Sequence, residues 1–129
     1  MHAVLNHFMY FGAALGLLVL AVSLYVVITP YNELKLIRAG HRASAISLGG
    51  TIVGFSLVIW SAATHSVGIL DMLAWGGISL VLQLVAFYIV WAFVHDLPEK
   101  MKLDTMSHGI LLCSASIAMG AMNAGILTY

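Results

Sequence analysis

Few residues of this 129-residue chain combine a reactive side chain with the spacing that a reaction or a metal ion would need. No two histidines have the i, i+4 spacing by which a helix holds zinc, and the single cysteine, Cys113, lies in an apolar run. Histidines at membrane interfaces account for the pattern better than metal ligands do. The sequence therefore predicts no metal site and no cofactor. The histidines are His2, His7, His41, His65, His95 and His108.

A hydrolytic site is equally poorly supported. Ser61, His65 and Ser66 lie close together in sequence, with one acidic residue nearby. Nucleophilic catalysis needs a base held against the nucleophile and a third group that orients the base. Nothing in this stretch indicates that arrangement. We predict no catalytic residues, and a protein that is not an enzyme acting alone.

The composition indicates that lipid is the solvent of this chain. Hydrophobic residues make up 62% and charged residues 8%, whereas soluble domains have about 45–50% and about 25%. A water-soluble fold would expose apolar patches larger than monomers tolerate. Five basic and five acidic side chains cancel, which leaves no basic surface for nucleic acid. We therefore predict an integral membrane protein whose principal partner is the lipid bilayer.

Four apolar runs set the fold class. They cover residues 8–28, 43–63, 72–94 and 109–127, and none contains Lys, Arg, Asp or Glu. About 20 apolar residues are needed to cross a bilayer, and runs of this length must be helical because lipid offers the backbone no hydrogen-bond partner. The sequence predicts an all-α membrane protein, with residues 1–129 forming one domain of four transmembrane helices arranged as two hairpins.

The basic residues predict the orientation of these hairpins. They lie only in the loop after the first span and in the loop after the third span. Positively charged loops stay in the cytoplasm, so both termini are predicted outside. The basic residues are Lys35, Arg38, Arg42, Lys100 and Lys102.

Each of these loops carries a helix signal of its own. Thr29 and Pro30 are favoured at the N-cap and the first position of a helix, and residues 96–99 have capping-box spacing. We expect a short amphipathic helix at the inner leaflet in both loops. The alternative is that the first and third spans simply extend beyond the membrane. In the first loop the apolar residues of one helical face are Tyr31, Leu34 and Ile37.

Small residues recur at intervals of four along three of the predicted spans. Helices in lipid associate by close backbone approach, so such stripes mark packing faces. Packing within one chain is one interpretation. Packing between copies is the other, and it predicts a homo-oligomer, with a dimer favoured. The packing residues are Gly12, Gly16, Gly50, Gly54, Ser116, Gly120 and Ala124.

Two of these stripes also suggest a parallel repeat of the two hairpins. The second and fourth spans carry small residues with the same spacing, offset by 66 residues. Chance is the alternative, because small residues are common in membrane helices. The first set is Ala43, Ser47, Gly50 and Gly54, and the second is Gly109, Cys113, Ser116 and Gly120.

Polar side chains within or beside the spans are the remaining candidates. Gln83 and Asn123 lie inside spans, where polar groups are either functional or form interhelical hydrogen bonds. Asp71 is expected to cap the third span, with Trp75 one turn later as an interfacial aromatic residue.

Several short motifs together resemble the YjfL-like family of small bacterial inner-membrane proteins, domain of unknown function 350, over nearly the whole chain. The resemblance implies a four-helix protein of the bacterial inner membrane and no particular reaction. If the family motifs mark a site, its candidates are Asn32, Glu33, Gln83 and Asn123. Alternatively, Thr29, Asn32 and Glu33 cap the loop helix or hold the loop against the bundle. The motifs lie at residues 28–33, 36–37, 50–54, 61–63, 71, 74–77, 83, 120 and 123–124.

Three hypotheses for function follow. The leading one is a scaffold or accessory component of a membrane-associated or envelope-stress system, with basic loops that recruit cytoplasmic proteins; the stress setting is implied by the family resemblance. The second is an oligomeric small channel or transporter subunit built around Gln83 and Asn123. Against it, no ionisable residue lies within a predicted span. The third, a membrane enzyme, would need a metal or a nucleophile in the cytoplasmic loops.

Overall fold

The computed structural model describes residues 2–65 and 68–127, and six helices make up this part of the chain. Four of them are long and apolar enough to cross a membrane, which confirms the all-α fold class and the four predicted spans. Two helices of six residues each lie in the loops that carry the basic residues. The helices are α1 His2–Ile28, α2 Glu33–Arg38, α3 Arg42–His65, α4 Ile69–Phe93, α5 Leu97–Lys102 and α6 Met106–Ile126.

Helices α3 and α6 form the most intimate pair of the bundle. A Cβ atom added to Gly120 would overlap the backbone of Gly54, and one added to Gly50 would lie 2.6 Å from the Cα atom of Cys113. Because lipid provides little hydrophobic drive between helices, this backbone contact is the main source of association. The small residues predicted in these two helices are therefore used inside the monomer.

The two small-residue stripes that suggest a repeat lie against each other. A Cβ atom added to Gly109 would lie 2.6 Å from the Ala43 carbonyl oxygen, and Gly120 meets Gly54 further along. Both pairs are separated by the repeat offset of 66 residues. Because these contacts follow the same order along both helices, α3 and α6 run parallel. Equivalent residues meet in this way when a two-fold axis runs along the interface of a parallel repeat.

Helices α1 and α4 pack on the outside of this pair. The residues of α1 that become buried are Leu17, Ala21 and Tyr25, at intervals of four. Leu17 fits against Gly76 of α4, where a Cβ atom would lie 2.6 Å from the leucine side chain. By contrast, a Cβ atom on Gly12 or Gly16 would have no described neighbour within 4 Å. The glycine pair of α1 is therefore left open.

The loop helix α2 begins later than the sequence predicts. Its N-cap is Asn32, whose Oδ1 accepts a hydrogen bond from the Lys35 amide at 3.1 Å. Thr29 instead donates to the Val26 carbonyl at the end of α1, at 3.1 Å, so the prediction of a helix starting at Thr29 and Pro30 is wrong. Of the predicted apolar face, Tyr31 is buried and Leu34 is 47% exposed, so contact of this face with lipid stays a prediction.

Two other capping predictions differ from the structure in detail. Asp96 is the N-cap residue of α5, as its spacing predicts, but its side chain makes no capping bond; it approaches His108 Nε2 at 3.5 Å and Lys100 Nζ at 4.0 Å. Asp71 lies inside the first turn of α4, which begins at Ile69. The location of α2 and α5 at the inner leaflet stays a prediction, and Ser66 of the serine–histidine stretch lies outside the described residues.

One acidic residue ties the two hairpins together. Asp104 Oδ1 accepts a hydrogen bond from the Ala43 amide at 2.7 Å, at the start of α3. A carboxylate at this position satisfies an otherwise unpaired amide and complements the helix dipole. Asp104 has a φ of 60°, a conformation that Asp tolerates better than most residues do.

The α3–α6 contact predicts a position-specific effect of adding one methyl group. We expect Gly120→Ala to lower the free energy of unfolding by about 1–3 kcal/mol, because the new Cβ meets backbone that cannot rotate away. Gly12→Ala, which adds the same group in open space, should change it by less than about 1 kcal/mol. Denaturant unfolding in detergent micelles measures both, and equal effects would contradict the packing described.

Candidate functional site

The most unusual side chain in the structure is Glu33, the first residue of α2. It is 0% exposed, and neither carboxylate oxygen has a hydrogen-bond partner among the described residues. Glutamate is almost never fully buried unless it is paired, because removing a carboxylate from water costs several kcal/mol. Asn32 caps the helix and is exposed, so the capping function does not explain why Glu33 is buried.

Two tyrosines border this carboxylate. Tyr31 precedes α2 and its hydroxyl lies beside Glu33, while Tyr25 in the last turns of α1 interacts with the same charge. Their rings flank Phe87 of α4, with centroids 6.3 Å from Tyr25 and 6.0 Å from Tyr31. Both hydroxyl oxygens are buried without a well-formed hydrogen bond among the described residues. The aromatic packing holds the rings but leaves their polar ends unsatisfied.

This environment changes the acidity of the two groups that lie outside the spans. Burial raises the pKa of Glu33 from its ordinary value of 4.5 to about 7, and the neighbouring Tyr31 hydroxyl opposes part of that rise. Burial and the negative charge of Glu33 raise the pKa of Tyr31 far above its usual range. Tyr31 is therefore neutral at physiological pH, whereas the Glu33 carboxyl gains and loses its proton near pH 7.

Buried polar side chains continue from Glu33 toward the middle of the bundle. The Tyr25 hydroxyl lies next to Thr51 of α3, and Thr51 Oγ1 donates to Ser116 Oγ of α6 at 3.2 Å. Gln83 of α4 donates through Nε2 to the Ser116 carbonyl at 3.0 Å, and its Oε1 has no partner in the described chain. We call this set the polar seam. Its residues are Glu33, Tyr31, Tyr25, Thr51, Ser116 and Gln83.

The glycines of the central pair make room for the seam. A Cβ atom on Gly54 would lie 2.5 Å from Gln83 Nε2 and 2.5 Å from the Ser116 carbonyl oxygen. Because position 54 of α3 has no side chain, the Gln83 amide of α4 can reach the Ser116 carbonyl of α6. The packing stripe and the polar side chains are thus parts of one arrangement.

Asn123 belongs to a different part of the bundle. It is buried about two turns beyond Ser116 in α6, and its Nδ2 lacks a described partner. Nearby, Ser61 Oγ donates to the Ala124 carbonyl at 2.7 Å. Of the four polar residues predicted as candidates, the structure thus brings Glu33 and Gln83 into one seam and leaves Asn32 and Asn123 outside it.

Sequence reasoning missed the tyrosines and Thr51 as members of the site. The spacing predicts Tyr31 on the apolar face of a loop helix, whereas in the structure it is buried with its hydroxyl beside Glu33. The available signal was the interval of four that places Tyr25 in line with Leu17 and Ala21. A tyrosine on the buried face of a membrane helix needs a polar neighbour for its hydroxyl.

The site holds one acidic residue and several hydroxyl and amide groups. Among residues 2–65 and 68–127, no three His, Cys, Asp or Glu side chains come together as metal ligands would. The seam can accept a proton or a positive charge at Glu33. Its hydroxyls both donate and accept hydrogen bonds, so they suit protons and oxygen-coordinated cations alike.

The raised pKa of Glu33 predicts how stability depends on pH. The folded protein favours the neutral carboxyl of Glu33. The contribution of this preference to the free energy of unfolding is complete below about pH 4.5 and is lost as pH rises through about 7. We expect the free energy of unfolding in detergent to fall over this interval, by on the order of 3 kcal/mol. Glu33→Gln should abolish the decrease. Glu99→Gln, at an exposed glutamate of α5, is the control and should retain it; an unchanged pH profile in Glu33→Gln would refute the assignment.

Comparison with known proteins gives a family and no reaction. The model of the family described as Domain of Unknown Function (DUF350) matches residues 1–127. The chain is 34% identical over 120 residues to UPF0719 inner membrane protein YjfL of Escherichia coli (strain K12), covering 93% of this chain and 91% of that protein.

A second relative comes from a different bacterium. UPF0719 transmembrane protein YshE of Bacillus subtilis (strain 168) is 29% identical over 95 residues, covering 74% of this chain and 68% of the relative. No solved structure matches the chain. The family match spans all four long helices and both ends of the polar seam. The chain therefore belongs to the DUF350 family.

Proposed function

We propose that this protein is a small transport subunit of the bacterial inner membrane that passes protons or monovalent cations along the polar seam. The positive-inside rule, applied to the basic loops, supports a cytoplasmic location for the Glu33 end, with both termini outside. The names of the relatives, an inner membrane protein and a transmembrane protein, support the proposed location.

The observation that carries the proposal is the complete burial of Glu33 without a well-formed hydrogen bond to any described residue. Such a carboxylate lowers the stability of the fold in its charged form, so stability does not explain its presence. Ionisable groups buried in membrane proteins typically mark an ion or proton pathway. The sequence alone argued against transport because no span contains an acid. In the fold, Glu33, which lies outside the spans, places a carboxyl group in the interior.

The rest of the seam supports a relay or a carrier and argues against a wide pore. Thr51 and Ser116 are in direct hydrogen-bond contact, while the backbones of α3 and α6 meet at Gly54 and Gly120. No open channel fits between helices in such contact. Ions or protons would move between discrete polar groups, with rearrangement of α1 or α4 relative to the central pair.

Reconstitution into liposomes tests this function. Proton flux is followed with an entrapped pH dye, and Na⁺ or K⁺ flux with isotopes, under an imposed gradient. We expect flux above that of empty vesicles, and a decrease of at least about tenfold in Glu33→Gln and in Gln83→Met, which each remove one polar group of the seam.

Glu99→Gln provides the matched control, because it neutralises an exposed acid at the same end of the protein. Its flux should equal that of the unmodified protein. Equal flux from vesicles with and without protein, for protons and for both alkali cations, would refute the transport proposal.

A scaffold or accessory function is the second candidate, and the open face of α1 favours it. Gly12 and Gly16 have no described neighbour within 4 Å of an added Cβ. A groove of about 550 Å³ runs between α1 and α3 and is lined by Tyr10, Leu18 and Trp60 among others. Gly12 and Gly16 do not line this groove, so a helix of a second copy or of another membrane protein would pack either on the two glycines or in the groove.

Affinity purification in mild detergent tests the second candidate. A scaffold should retain a second copy or a specific partner, and Gly12→Leu with Gly16→Leu should release a partner held by α1. Substitution of the exposed Lys35, Arg38 and Lys102 by Gln tests recruitment at the basic loops. If none of these variants changes what co-purifies, this candidate fails.

A further inference from the structure

Four oxygen atoms at the cytoplasmic end of the seam lack hydrogen-bond partners within the described chain. They are the two carboxylate oxygens of Glu33 and the hydroxyl oxygens of Tyr25 and Tyr31. Glu33 and Tyr25 are 0% exposed and Tyr31 is 4% exposed, so bulk water does not satisfy them. Orphaned buried polar atoms of this kind point to a bound group that supplies the missing interactions.

The charge of this group follows from the surroundings. Glu33 provides one negative charge, and the titratable groups beside it are the phenols of Tyr31, from the linker, and of Tyr25, from α1. Tyr88 of α4 interacts with Tyr25, and α3 contributes the uncharged Thr51. Lys35 lies two residues away but is exposed. A single positive charge would therefore neutralise the site.

The donor atoms narrow the chemistry further. All four are oxygens, which bind hard cations, and among the described residues no thiol or imidazole interacts with Glu33 to favour a transition metal. Calcium and magnesium sites draw on several oxygens of higher total charge, commonly from more than one carboxylate. One carboxylate with neutral oxygens matches an alkali cation better, as in transporters whose Na⁺ sites combine polar groups at interrupted helices.

A route to the site lies at the surface beside Tyr31. A small cleft of about 250 Å³ is lined by the linker between α1 and α2, including Thr29, Pro30, Tyr31 and Asn32. The helical backbone is interrupted here, between the end of α1 at Ile28 and the start of α2 at Glu33. Non-helical backbone near a membrane is tolerated where it borders a wet cavity or protein interior.

We propose that Glu33, Tyr31 and Tyr25 form a binding site for a monovalent alkali cation, Na⁺ or K⁺, reached through the cleft at residues 29–32. The cation binds the ionised carboxylate with the two phenolic oxygens as neutral ligands. When Glu33 is protonated, the cation displaces that proton, which leaves through the cleft; one positive charge enters and one departs. The site deepens the proposed transport function by naming the ion and its cytoplasmic binding point, although binding itself does not require transport.

Binding is measured on the full-length protein purified in detergent. Thermal unfolding is followed at constant ionic strength in NaCl, KCl or choline chloride, and binding of ²²Na⁺ or ⁸⁶Rb⁺, the latter as a K⁺ analogue, is measured directly. We expect Na⁺ or K⁺ to raise the unfolding temperature in a saturable manner at about pH 8, with a much smaller effect at about pH 5.5, where Glu33 is neutral.

Substitutions separate a binding site from a general salt effect. Glu33→Gln should abolish the cation-dependent shift, and Tyr31→Phe and Tyr25→Phe should each weaken cation binding by about tenfold through loss of one oxygen ligand. Tyr10→Phe, in the outer half of α1, and Glu99→Gln are matched controls that should bind as the unmodified protein does. Because the tyrosine variants keep their rings, they keep the test decisive even if Glu33→Gln fails to fold.

The outcomes distinguish this inference from the transport proposal. Cation binding that depends on Glu33 and the tyrosines, without ion flux in liposomes, supports the site and refutes transport. Proton flux with no Na⁺- or K⁺-dependent shift at about pH 8 supports transport and overturns the cation site. A shift that persists in Glu33→Gln, or that choline reproduces, also overturns it.

Discussion

Close backbone contact between α3 and α6 is the constraint on which the other features of this protein depend. In lipid, two apolar helices gain little by meeting, so their contact must come from dispersion at short range and from hydrogen bonds. Gly50, Gly54 and Gly120 provide that short range by lacking side chains. The same absence lets Gln83 reach the Ser116 carbonyl across the interface. The glycines therefore permit both the close helix contact and the interhelical hydrogen bond in the centre of the bundle.

The central pair also determines where polarity can be tolerated. Thr51 and Ser116 hydrogen-bond to each other between tightly packed helices. Where the linker crosses the end of the bundle, the oxygens of Glu33, Tyr31 and Tyr25 have no hydrogen-bond partner in the described chain. A buried network with unsatisfied members is less stable than an apolar one. These four oxygens lie at one end, beside a break in the helices and a surface cleft, whereas Gln83 Oε1 and Asn123 Nδ2 lack described partners further along the bundle. The concentration of oxygens around Glu33 is the feature on which the proposed site rests.

Loop geometry is where prediction from sequence was weakest. Capping rules identified Thr29 and Asp71 as helix caps, yet the structure uses Asn32 at α2 and Gly68 at α4. They located the start of α5 correctly at Asp96, but that side chain contacts His108 and Lys100 and does not cap the helix. A capping motif describes local preference only, and a tertiary contact of similar energy overrides it. Asp104, which no local rule selected, caps α3 from the other hairpin. Such long-range hydrogen bonds leave no signature in the spacing of neighbouring residues.

The sequence by itself determined the solvent, the number of spans and the small faces on which helices pack, because hydrophobic length and residue size act locally along one helix. It also marked Gln83 and Glu33 as candidates. Only the tertiary structure decided that the stripes of α3 and α6 meet each other while Gly12 and Gly16 stay open. It alone placed Glu33 in the interior beside Tyr25 and Tyr31. Burial of a loop residue depends on where the linker folds back onto three helices, and that depends on contacts between residues distant in the chain.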